Sequence, residues 1–112
     1  MSDDVVLRNS EDSEGIRYLG ANLNSDGDLV VTGQDIGSGV SEIFGSSINE
    51  YEWVYTIKSE HISILTKALG GMEGDNIIGL IREKCTGERT ANFEEIIREQ
   101  VPHDFWNWMG DD

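Results

Sequence analysis

Apolar and polar positions alternate most strictly over residues 50–58, Glu-Tyr-Glu-Trp-Val-Tyr-Thr-Ile-Lys. Tyr51, Trp53, Tyr55 and Ile57 share one side of a period of two, and Glu52, Val54, Thr56 and Lys58 share the other. In β-branched and aromatic residues this period predicts a strand with one strongly apolar face. Each ring can remove roughly 150–250 Å² from water, so this segment is expected to be the central strand. Before it, residues 16–23 have strand character. Asn24-Ser25-Asp26-Gly27 is a turn signal in which Gly27 accepts positive φ, and Asp28 to Gly33 returns as a second strand, completing a hairpin.

At Ser59 the period changes to that of a helix. Ser59 is a candidate cap for apolar positions Ile62, Ile64, Leu65, Ala68 and Leu69, with Gly70-Gly71 as the stop. Asp75 is a candidate cap for a helix carrying Ile77, Ile78, Ile81 and Cys85, ended by Gly87. Asn92 and Glu95 have capping-box spacing for a third helix with Phe93, Ile96 and Ile97, which Pro102 ends. The predicted helices lie near 59–69, 75–86 and 92–101. The aromatic tail, Phe105-Trp106-Asn107-Trp108-Met109, is expected to pack back onto the core. Strands first and helices after predict an α+β fold, an antiparallel sheet of three to four strands with about three helices packed on one face.

Two stretches break the pattern. Residues 1–15 form a polar N-terminal segment in which Val5, Val6 and Leu7 suffice for a short edge strand, and Ser10 to Gly15 reads as a loop. Residues 33–49 are rich in Gly and Ser yet carry Ile36, Val40, Ile43 and Phe44. Loops of that length inside a small domain are often functional. A chain of 112 residues corresponds to one domain, 1–112.

Charge changes the picture most. Eight Lys and Arg face 22 Asp and Glu, a net charge of −14. Residues 1–57 hold eleven acids against Arg8 and Arg17, and residues 58–112 hold eleven acids against six bases. No base lies between Tyr18 and Ile57. Such a field repels nucleic acid and anionic membranes and attracts basic proteins, although high net charge also serves solubility alone. The single cysteine, Cys85, allows no internal disulfide, and the acidic start lacks a secretory pattern. A cytoplasmic protein without a membrane span is expected.

Candidate chemistry is thin. Asn22, Asn24, Asp26 and Gly27 approach a calcium loop, but Gly33 stands where a bidentate Glu is needed, and a hairpin accounts for the same residues without metal. His61 and His103 have no metal-ligand spacing, and Cys85 falls on an apolar helix stripe. No nucleophile elbow or phosphate loop is present. No catalytic residue, metal or cofactor is assigned, and the expectation is that the protein is not an enzyme. What remains is a binding protein for a basic partner, with Asp35, Glu42, Glu50 and Glu52 steering and Phe44 anchoring. The competing reading makes Ile43 and Phe44 core residues beneath a loop.

The run Gly33-Gln34-Asp35-Ile36-Gly37, then Glu50-Tyr51-Glu52-Trp53-Val54-Tyr55-Thr56 and the helix end Leu69-Gly70-Gly71, resembles small acidic bacterial immunity proteins of contact-dependent growth inhibition and polymorphic toxin systems. The resemblance covers roughly residues 16–108. It implies binding to a cognate toxin domain, often a basic nuclease and sometimes one like ribonuclease A, as a monomer in a 1:1 complex. It transfers no inhibitory residue to a position here. The alternative is an acidic adaptor or regulatory protein for another basic partner.

Overall fold

The computed structural model describes residues 4–13, 15–37, 49–86 and 89–110. Five strands form one sheet in chain order, every neighbouring pair antiparallel: β1 (Asp4–Asp12), β2 (Gly15–Leu23), β3 (Leu29–Ile36), β4 (Glu50–Ile57) and β5 (Asp104–Gly110). Between β4 and β5 the chain makes a 3-10 turn (Ser59–His61) and three helices, α1 (Ile62–Ala68), α2 (Ile77–Lys84) and α3 (Thr90–Gln100). The fold is therefore α+β, with five strands among the described residues rather than three to four. The additions are the two edges. Beyond Val5 and Leu7, β1 continues through the polar residues 8–12 as a ribbon against β2. The aromatic tail is β5.

The register resolves the sheet into rows that cross all five strands. Val5, Ala21, Val31, Tyr55 and Phe105 form one row, and Arg8, Leu19, Gly33, Trp53 and Asn107 the next. Most of these side chains lie beneath the helices. A register shift between Val6 and Arg8 also turns Leu7 inward, as an extra residue in one strand does. The core combines this face with Leu65, Ile77, Ile78, Ile81, Phe93 and Ile97, all buried. The intervening rows face away from the helices.

Polar contacts fix the junctions. In the β2–β3 turn, Asn24 Oδ1 accepts the N–H of Asp26 (2.9 Å) and of Asp28 (3.0 Å), and Gly27 has φ +80°. The side chain a calcium loop would use is thus committed to backbone amides. Ser59 does not cap α1; Lys58 and His61 hold the cap positions of the 3-10 turn and of α1, neither with a side-chain bond. Asn76, one residue beyond the expected Asp75, caps α2 by accepting from Ile78 and Gly79. α2 ends at Lys84, and the expected stop at Gly87 lies outside the described residues. α3 starts at Thr90, ahead of Asn92. The Thr90 hydroxyl, 3.0 Å from the Cys85 carbonyl and 3.3 Å from that of Leu7, donates between them and ties α3 to β1. No helix among the described residues is long and apolar enough to cross a membrane.

Candidate functional site

The strand period sorts the predicted binding residues onto two faces. Asp35 lies in the row Ser10, Arg17, Asp35, Tyr51 and Met109, on the helix side. Glu52 lies in the row Asn9, Tyr18, Gln34, Glu52 and Trp108, and Glu50 in the row Glu11, Ile16, Ile36, Glu50 and Gly110, both on the open side. Glu50 and Glu52 therefore share a surface that Asp35 does not. Glu42 and Phe44 lie outside the described residues.

The open face carries apolar groups that the reading of β4 alone did not place there. One row runs Val6, Gly20, Thr32, Val54 and Trp106. Val6, Trp106 and Trp108 are each about half exposed, at 53%, 52% and 44%. The Tyr18 ring folds over Gly20 and the Trp108 ring over Gly110, where a Cβ would collide with them. Both side chains consequently lean along their own strands, over the glycine two residues on. Glu50 Oε1 accepts from Gln34 Nε2 at 3.0 Å, which holds one carboxylate beside this platform. Glu52 stands directly across from Trp108. Exposed aromatic surface bordered by carboxylates suits a cationic partner, because guanidinium and ammonium groups bind both ring faces and carboxylates. The tail thus returns to the sheet without being buried by it.

Asp35 is in a different situation. Its Oδ1 is buried without a hydrogen-bond partner. Burial raises its pKa above the ordinary 3.8, and Arg17 and Arg8 oppose that shift. On the helix side, Trp53 Nε1 donates to Glu94 Oε2 at 3.0 Å, and Arg98 Nη1 donates to the Tyr55 hydroxyl at 3.1 Å. These four residues line a shallow groove of about 220 Å³ with Tyr51 and Phe105. These two hydrogen bonds tie α3 to the sheet across the groove.

The reactive side chains are dispersed. Cys85 is buried, and burial pushes its thiol up to about 11 against the smaller opposing pull of Arg89 and Lys84. The cavity beside it is lined by Ala68, Leu69, Lys84, Arg89, Asn92, Phe93 and Ile96, with no histidine. His103 packs edge-on against Tyr55, and its Nδ1 lies 2.8 Å from the Val101 carbonyl, to which it donates. Among the described residues no group of three or more His, Cys, Asp or Glu is placed to hold a metal ion. Compared with protein families, with curated proteins and with solved structures, the chain matches none.

Proposed function

We propose that this protein is a cytoplasmic immunity protein that neutralises a basic toxin domain, a nuclease, by stoichiometric binding and with no chemistry of its own. The observation that carries the reading is the open sheet face, where Trp106, Trp108 and Val54 lie beside Glu50 and Glu52 in a chain of net charge −14. Apolar anchors in the middle of an interface supply most of the affinity, and surrounding charge supplies steering and selectivity. The family resemblance of residues 16–108 supplies the class of partner. Asp35, on the helix side, remains in the proposal as a further binding residue, as do Glu42 and Phe44, which lie outside the described residues.

The test begins with the reading frame next to the gene. An immunity protein is expected beside a large secreted protein with a variable C-terminal domain. Expressed alone, that domain should stop growth, and co-expression with this chain should restore it. Light scattering on the purified mixture should show one copy of each. Growth arrest that this chain does not relieve overturns the reading.

A further inference from the structure

The two edges of the sheet are built differently. β1 carries Asp4, Arg8, Asn9, Ser10, Glu11 and Asp12 and is broken by the register shift at Leu7. Charge and a bulge are the usual protection of an exposed edge against a further strand. β5, Asp-Phe-Trp-Asn-Trp-Met-Gly, has neither. Its one charge is Asp104 at the start, its register with β4 is unbroken, and it contains no Lys and no Pro. Phe105, Trp106, Trp108 and Met109 are 51%, 52%, 44% and 43% exposed.

The ladder shows which backbone groups β5 leaves over. Gly37 N–H donates to the Asn49 carbonyl at 2.7 Å, in line with the β3–β4 register. Bonded pairs alternate along an antiparallel ladder. Odd-numbered residues of β4 thus bond β3, and the even-numbered ones bond β5. In β5, Asp104, Trp106, Trp108 and Gly110 therefore face β4. The N–H and C=O groups of Phe105, Asn107 and Met109 point outward, where among the described residues no strand pairs with them.

We infer that β5 is a strand-addition site, and that its occupant is an extended segment of a basic protein partner. The inference rests on the proposed function only for the identity of that partner. A second copy of this chain fits poorly. Each copy brings a charge of −14. Burying the exposed halves of four side chains of roughly 150–250 Å² on each copy removes only about 800 Å² in all, below the roughly 1,200 Å² at which stable interfaces begin. A basic partner meets no such repulsion. From β5 it can continue across Trp106 and Trp108 toward Glu52 and Glu50 on the same side of the sheet. Backbone pairing along β5 would supply affinity, and alternate side chains would supply selectivity.

The probe is an end-capped Lys-Val-Lys-Val-Lys-Val-Lys peptide, matched to the seven residues of β5 and used at millimolar concentration. Backbone amide exchange followed by NMR should show new protection at Phe105, Asn107 and Met109. Protection should vanish with the same peptide N-methylated at alternate residues, and with Glu in place of Lys. Asn107→Pro removes one outward N–H and no bond to β4, a position where edge strands tolerate proline. It should keep the circular dichroism spectrum and weaken peptide binding at least tenfold. The N-methylated peptide carries the test if that variant does not fold. No protection by the Lys/Val peptide, equal protection by its N-methylated form, or a dimer of this chain by light scattering overturns the inference. Toxin neutralisation by an Asn107→Pro protein that cannot bind the peptide would leave the proposed function standing and remove β5 from it.

Discussion

Gly33 on β3 stands directly opposite Trp53 on β4, and the indole lies over it: a Cβ at position 33 would come 2.1 Å from Trp53 Cε2 and Cζ2. The glycine is the space into which the largest ring of the core folds. On that perch Trp53 is 7% exposed, and its Nε1 reaches Glu94 on α3.

Two substitutions test this pairing. Gly33→Ala should destabilise by about 1–3 kcal/mol through overpacking. Trp53→Ala should cost about 3–5 kcal/mol, which leaves little of the roughly 5–15 kcal/mol such domains possess. In the double variant the alanine methyl has no ring to strike, so the total should fall short of the sum by about 0.5–3 kcal/mol. Urea denaturation of the four proteins measures the cycle. Additive costs would show that the ring does not depend on the missing Cβ.

Asp28 clamps two connections that are distant in sequence. Its Oδ1 accepts the Ser59 N–H at 2.8 Å, joining the β2–β3 turn to the start of the helical segment. Lys58 Nζ lies 3.8 Å from Oδ2 and is itself largely exposed, so the ion pair adds little. Asp28→Ala strands a partly buried amide and should cost about 1–3 kcal/mol. Lys58→Ala should stay within about 0.5 kcal/mol. Similar midpoints for the two variants in thermal melts would place the contribution in the ion pair instead.

These junctions show where the chain was readable and where it was not. Residues 50–57 announce themselves because one face of β4 is buried and the other is not. β1 past Arg8 hides because a strand pairing beyond the core needs no apolar side chain. β5 hides for the opposite reason. Phe105 and Met109 fall on one side and Trp106 and Trp108 on the other, so no alternation survives. The start of α3 is set by a hydroxyl reaching the Leu7 carbonyl, a contact that local spacing does not encode. Within the candidate site, the period of two already groups Glu50 and Glu52 with Val54. Their placement beside Trp106 and Trp108 required the β4–β5 register. The separation of Asp35 from them required the β3–β4 register, which the long stretch between those strands leaves open.

Asp35 should be a net burden on the fold. Burial raises its pKa above 3.8, so the folded protein binds this proton more tightly than the unfolded chain does. Its contribution to stability is greatest below the unfolded value and is lost as pH rises through the folded one. At neutral pH the ionised, partly unsatisfied carboxylate should weaken the fold, and Asp35→Asn should raise the melting temperature. The gain should shrink as pH falls toward 4. Melting curves of parent and variant across that range decide it. A lower melting temperature for Asp35→Asn at pH 7 would show that Arg17 and Arg8 outweigh burial. A carboxylate kept at a cost to the fold is the behaviour expected of a residue retained for binding.

The open face makes its own kinetic prediction for the proposed toxin partner. Complementary fields should bring association toward roughly 10⁸ M⁻¹s⁻¹ at low salt, against about 10⁵–10⁶ without steering. At 0.15 M salt the Debye length is about 8 Å, so the on-rate should fall steeply while the off-rate changes little. Glu50→Gln with Glu52→Gln should slow association and flatten that salt dependence. Asp35→Asn, on the opposite face, should do so less. Trp106→Ala or Trp108→Ala should act on dissociation. A ring buried at the centre of an interface is worth about 2 kcal/mol or more, about thirtyfold in Kd. Each ring is already about half exposed in the free protein, so the fold should lose much less than the complex does. Stopped-flow association and dissociation across a salt series separates these effects. If the paired glutamine changes leave association untouched while Asp35→Asn slows it, the partner approaches from the helix side, and the aromatic platform serves something else.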